Sequence, residues 1–288
     1  MSRSRPRPTF SHSWAASVIG GVLLATVAFG VQAAQADSAA EALNDPWPDL
    51  ARDAFNGRPM IDGTDVLAIE MPYRAEDAAI VPVTLRLTLP PADTRRVKAV
   101  TLVVDENPAP VAATFTFGPN AVISAISTRV RVNSYTNVHA VAELSDDKLY
   151  VVKTYVKASG GCSAPAAKDA DDARASLGQM RLRQFAQPSG APASRWREAQ
   201  LMIRHPNNSG LQMDQVTRLY VPAFFVQSAK VWQGDELILA VDGGISLSED
   251  PNIRFSYRPN GSDTLRAEVL DTEKHVFKGE WPVERSQM

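Results

Sequence analysis

From Val81 to Leu89 the chain alternates without a break: Val81, Val83, Leu85, Leu87 and Leu89 are apolar, and Pro82, Thr84, Arg86 and Thr88 stand between them. A period of two places each set on its own face of a strand, a pattern that an amphipathic helix does not produce. Further strands are predicted at Val66–Met71, Val97–Val104, Ala112–Phe117, Ala125–Val132, His139–Leu144 and Leu149–Lys157. Pro90-Pro91, Asn107-Pro108, Gly118-Pro119-Asn120 and Asp146-Asp147 punctuate them. About seven short strands in about ninety residues suggest an immunoglobulin-like sandwich. The Cys…Trp…Cys signature of antibody domains is absent, so the architecture is implied and that family is not. The chain has one cysteine, which rules out an internal disulfide and leaves apolar burial to hold the fold.

The remainder reads in the same way. Asp45-Pro46 can start a helical turn through Ala54, ended by Gly57 and Pro59. After residue 178 strands are expected at Gln179–Phe185, Ala199–Arg204, Tyr220–Gln227, Ala229–Gln233, Glu236–Val241, Ile253–Tyr257, Leu265–Leu270 and His275–Glu280. Gly234-Asp235, Asp242-Gly243-Gly244 and Asn260-Gly261 read as turns, the last two as hairpin turns. The fold class is therefore all-β, with two immunoglobulin-like β-sandwich domains in tandem. Residues 37–158 form the first domain and 178–288 the second, and 159–177 is a Gly/Ala-rich arm and linker. An alanine-rich helix from Ala166 to Leu177 is the competing reading of the linker. Gln187–Ala193 reads as an exposed loop. Leu219–Val226 is apolar throughout, as for a strand buried on both faces, or for a face between the two sandwiches to which Met202, Met213 and Phe224-Phe225 contribute.

Residues 1–36 read as a cleaved signal peptide. Arg3, Arg5 and Arg7 precede an apolar run from Trp14 to Val31, and Ala34-Gln35-Ala36 is a small-x-small cleavage site. The mature chain would be periplasmic, and no later stretch has the length and apolarity of a membrane span. Loss of the three leader arginines leaves 27 basic and 32 acidic side chains, net −5. Neither that balance nor any basic stripe points to nucleic acid.

The cysteine, Cys162, lies in Lys157-Ala-Ser-Gly-Gly-Cys-Ser-Ala-Pro165. Buried structural cysteines sit among apolar neighbours. Here Ser159, Gly160, Gly161 and Ser163 give the sulfur little cover, and Gly160 and Gly161 leave the backbone free. The segment reads as a flexible arm that presents one reactive atom. About ten mobile residues would span about 16–19 Å. Lys157 and Lys168 are close enough in sequence to stabilise a thiolate, and Asp169, Asp171 and Asp172 oppose them. The bland reading is an incidental thiol or a site of intermolecular pairing. His139, His205 and His275 are scattered without metal-site spacing, and His205-Pro206 reads as the structural end of a strand. No Cys-x-x-Cys-His, phosphate loop or hydrolase elbow around Ser163 or Ser209 occurs, so the residues suggest no metal, cofactor or catalytic site.

A first sandwich running into Gly160-Gly161-Cys162, followed by a second, resembles a fusion of the two subunits of the SoxYZ sulfur carrier. Ile203-Arg-His-Pro-Asn-Asn-Ser-Gly210 and Asp250-Pro-Asn-Ile-Arg-Phe-Ser-Tyr257 are similar to segments of the second subunit. The resemblance covers nearly all of the mature chain, and is greatest to carriers associated with quinoprotein dehydrogenases. It implies a non-catalytic periplasmic protein that holds sulfur-containing intermediates covalently on Cys162. The implied partners are periplasmic sulfur-oxidation enzymes or c-type cytochromes, with a quinoprotein alcohol dehydrogenase as a further candidate. Two features depart from the family: the chain continues past the arm, and Ser163-Ala164-Pro165 replaces the glycines after the cysteine. A tethered arm reaches less far than a free tail. The alternative is an accessory or assembly module for a quinoprotein alcohol dehydrogenase, with the cysteine dispensable.

Overall fold

Both halves contribute strands to the same two sheets. The computed structural model describes residues 45–90, 92–167, 170–185 and 196–284. The leader, the Gln187–Ala193 loop, Lys168 and Asp169 lie outside the described residues. Helix α1 (Trp47–Phe55) leads into eight strands: β1 (Met60–Asp62), β2 (Leu67–Glu70), β3 (Val81–Leu87), β4 (Val97–Val104), β5 (Val111–Phe117), β6 (Ile123–Val130), β7 (Thr136–Leu144) and β8 (Leu149–Val156). A short helix α2 (Ala170–Ala175) precedes β9 (Met180–Phe185), β10 (Arg197–Ile203), β11 (Val226–Gln233), β12 (Glu236–Gly243), β13 (Asn252–Tyr257), β14 (Thr264–Asp271) and β15 (Val276–Pro282).

The nine-stranded sheet runs β1-β8-β7-β4-β5-β12-β11-β14-β15, and the six-stranded sheet runs β2-β3-β6-β13-β10-β9. The chain is all-β in two immunoglobulin-like halves, as its strand spacing implies. What the sequence did not show is that the halves join edge to edge in both layers. Strand β5 pairs antiparallel with β12, placing Phe115 opposite Val241, and β6 pairs with β13, placing Ile126 opposite Phe255. Such pairing removes the inner edges that two separate sandwiches would leave open. The core is correspondingly shared: one cluster of buried side chains extends from Val66 through Phe115 and Leu239 to Val269. The period of two explains a second, smaller cluster. Leu102 and Ala140 face the main core, whereas Val103 and Val141 point to the opposite face, where Phe55 of α1 covers them.

Several local expectations change in tertiary context. Asn260-Gly261 follows β13 and precedes β14, which belong to different sheets, so it turns a crossover rather than a hairpin. Gly243-Gly244 likewise ends β12 and begins the passage to the other sheet. Gly234, at φ 57°, does form the β11–β12 hairpin turn. Leu219–Ala223 is not a strand. Its neighbourhood is an irregular loop that leaves Val216, Leu219 and Tyr220 exposed, because the strand begins only at Val226. The linker holds one short helix where a longer alanine-rich one competed, with Ser176 bonding back to the Asp172 carbonyl and Gly178 at φ 74° closing it. No helix among the described residues is long and apolar enough to cross a membrane.

Candidate functional site

Cys162 lies at the seam between the halves, in a place its sequence neighbours do not suggest. The side chain is fully buried, at 0% relative exposure. The cover comes from elsewhere in the chain. Strand β6 continues past Val130 as an extended segment whose carbonyls receive the arm: Gly160 donates its N–H to Asn133 at 2.8 Å, and Gly161 donates to Val132 at 3.0 Å. From the second half, the Ser209 hydroxyl donates to the Cys162 carbonyl, and the Gln212 amide donates to the Ala164 carbonyl at 2.9 Å. Gln212 in turn accepts the Ser209 N–H at 3.1 Å, so the two latching side chains hold each other.

The glycines serve this seat in different ways. Gly160 adopts φ 80°, a conformation that glycine tolerates without steric cost. Gly161 is needed for close approach: a Cβ there would lie 2.7 Å from the Val132 carbonyl oxygen and closer still to that of Ala78. In this conformation Gly161 acts as a packing residue. The reading of an uncovered thiol is corrected by these contacts, since glycine lets two backbones meet around the sulfur as readily as it lets them part.

Arg131 is the charged partner that sequence reasoning missed. It is 2% exposed, and its guanidinium donates to the carbonyls of Leu247 and Ile245 without a carboxylate partner among the hydrogen bonds described. Its Nε is buried without a hydrogen-bond partner among the described residues. Burial lowers the Arg131 proton affinity, and electrostatic attraction to Cys162 and Glu249 opposes that. Burial raises the Cys162 thiol above its ordinary value, with the Arg131 charge pulling the other way. The seated cysteine is thus a covered, protonated thiol of low nucleophilicity. Of the charged residues near it in sequence, Lys157 lies 5.0 Å over the Tyr73 ring, and Lys168 and Asp169 are outside the described residues. Polar groups complete the seam. Asn107 donates to the Arg131 carbonyl at 2.8 Å and to the Ser246 hydroxyl at 2.9 Å, and accepts the Asn133 N–H at 2.8 Å.

The histidines also find acidic partners that their spacing conceals. His139 Nδ1 is 2.9 Å from buried Asp105, and Trp47 stacks on its ring at 3.6 Å. Asp271, fully buried, meets His275 Nδ1 at 2.8 Å and lies 3.6 Å from His205 Nε2. Among the described residues no group of three or more His, Cys, Asp or Glu is placed to hold a metal ion.

Comparison with known families accounts for both halves. Residues 51–162 match the model of the sulfur oxidation protein SoxY, and 186–282 match that of the sulphur oxidation protein SoxZ. The chain belongs to the SoxYZ-like proteins. Its SoxY match ends on Cys162 itself. The SoxY and SoxZ modules connect it to sulfur oxidation. No match was found among curated proteins. Among solved structures, the superoxide reductase (neelaredoxin) from Ignicoccus hospitalis is 12% identical, with 32% of this chain and 79% of that one covered at a TM-score of 0.29. A variant of that enzyme is 13% identical, with 38% and 90% covered at a TM-score of 0.29. Likeness at that level carries no argument about function.

Proposed function

We propose that this SoxYZ-like protein is a non-catalytic periplasmic carrier that binds sulfur-containing intermediates covalently through Cys162 and presents them to partner enzymes. The observation that carries the reading is the end of the SoxY match on the only cysteine of the chain. Thiolate sulfur bonds are readily made and broken, and a tethered adduct raises its own effective concentration at each partner. With the thiol sealed, loading requires the arm to leave its seat by releasing the bonds from Ser209 and Gln212. The closed state then protects the thiol between loading events. The SoxZ-like half serves as the latch. Periplasmic sulfur-oxidation enzymes or c-type cytochromes are the partners this reading calls for, and the exposed Leu219 and Tyr220 offer them apolar surface beside the latch.

The burial of Cys162 also favours a second reading, in which the chain is an accessory or assembly module of a quinoprotein alcohol dehydrogenase and the cysteine is dispensable. Intact mass of the mature protein from native periplasm, with and without reductant, separates the two. Reductant-sensitive sulfur mass on the Cys162 peptide is expected of the carrier, together with a folded Cys162→Ser variant that stops the pathway. A bare mass while the pathway runs, or full activity of Cys162→Ser in cells, establishes the accessory reading instead.

A further inference from the structure

Immediately beyond the latch, the linker walls one side of a cavity of about 690 Å³. Pro165 and Ala166 line it, as do Gln212, Phe224, Arg174 and His275. Gln212 is the residue that holds the Ala164 carbonyl, so the same side chain belongs to the arm's seat and to the cavity. Cys162 is three residues before Pro165, and three extended residues reach about 10 Å. Release of the arm therefore brings the cavity within range of the sulfur while Pro165 stays in place.

On the polar wall of this cavity, His275 is paired with a buried carboxylate. The β14–β15 turn brings Asp271 and His275 together: Asp271 accepts the backbone N–H of His275 at 2.9 Å and engages its ring Nδ1 at 2.8 Å. That contact makes Nδ1 the protonated nitrogen and leaves Nε2 as the basic one. The ring is half-exposed and lines the cavity. His205 is the more distant neighbour of the carboxylate, with its Nε2 3.6 Å away against 2.8 Å for His275 Nδ1. Its Nδ1 accepts the Asn207 N–H at 3.0 Å, and its buried Nε2 has no hydrogen-bond partner among the described residues. Burial holds His205 neutral, with its pKa lowered to about 4. The other charged residues that line the cavity are Glu273 on the same turn, Arg174 on α2 and Asp214 on the loop, and Lys274 adjoins His275 in the chain.

The geometry points to a second seat for Cys162: the cavity beside the linker, where His275, oriented by Asp271, takes the thiol proton. The Sγ–H bond breaks, the electron pair stays on sulfur, and the proton forms a bond to Nε2. Asp271 stabilises the imidazolium, and Arg174 supplies positive charge toward the thiolate. This inference rests on the arm-opening reading above and adds a place where the carrier becomes nucleophilic. His139 cannot take this part, because it is buried against Asp105 and Trp47.

The test is the second-order rate of Cys162 alkylation by iodoacetamide in the full mature chain. His275→Ala is expected to lower the rate on the order of tenfold or more, and free imidazole is expected to restore it. His275→Gln should show the same loss without rescue. In a separate variant, Glu273→Cys should form an intramolecular disulfide with Cys162 under mild oxidation, seen by peptide mass mapping. An unchanged rate in folded His275→Ala, a loss that imidazole does not restore, or no disulfide overturns the second seat. The carrier reading is judged by sulfur load on Cys162 in cells, so the two fail separately. Normal load with an unchanged rate removes only the second seat, and imidazole rescue without any load removes only the carrier.

Discussion

Substituting alanine for Gly161 tests whether that glycine packs the arm or frees it. The added Cβ would sit 2.7 Å from the Val132 carbonyl oxygen and nearer to that of Ala78. Both are backbone atoms, so no side-chain rotation relieves the clash. Overpacking of this kind costs about 1–3 kcal/mol. The cost falls on the closed arm and not on the sandwich, because Gly161 meets the strand extension through one hydrogen bond to Val132. At about 1.4 kcal/mol per factor of ten, the open population rises about 5- to 150-fold. The assay is the second-order reaction of Cys162 with a thiol reagent at low reagent concentration, where rate follows the open fraction. Circular dichroism on the same samples confirms that the sheets are intact. If Gly161 instead supplies flexibility, alanine stiffens the arm and the thiol reacts no faster. An unchanged or slower reaction in a folded Gly161→Ala protein would therefore refute the packing argument and the closed seat with it.

Other consequences can be measured on the same protein. Ser209→Ala removes the hydroxyl that holds the Cys162 carbonyl; at about 1 kcal/mol for one hydrogen bond the thiol should react about fivefold faster, and an unaltered rate would show that the latch is idle. Phe115 is fully buried beside the β5–β12 junction, so Phe115→Ala should cost about 3–5 kcal/mol and lower one common transition reported by Trp47 in the first half and Trp232 in the second. Two separate denaturation midpoints would contradict the shared core. His205 has its pKa lowered to about 4 by burial, whereas an unfolded histidine titrates near 6.5. The unfolded state thus binds more protons between those values. Stability is fully present above about pH 6.5 and falls by about 3 kcal/mol as the pH drops toward 4, and His205→Gln should flatten that part of the urea-midpoint profile.

Strand content was legible because its signal is local. Val97–Val104 was read to the residue, since alternation and flanking turns are properties of neighbouring positions. The family resemblance was legible for the same reason, carried by Gly160-Gly161-Cys162 and the segments around Ile203 and Asp250. Partnerships at long range were not. Cys162 and Ser209 are 47 positions apart, and His139 and Asp105 are 34 apart. Arg131 carried no mark at all: it follows a strand among other arginines, and only burial distinguishes it from Arg129 or Arg258.

By itself, then, the sequence determined an all-β chain in two halves with one thiol on a glycine-rich connection. Periodicity, turn chemistry and cysteine number are enough for that. Tertiary structure decided whether the halves stand apart, and it joined them through β5–β12 and β6–β13 into one core. It also decided what the glycines do. A residue without a Cβ permits both a mobile arm and an intimate backbone contact. The choice depends on whether a matching surface exists elsewhere in the chain; here the extension of β6 and the Ser209–Gln212 latch supply one.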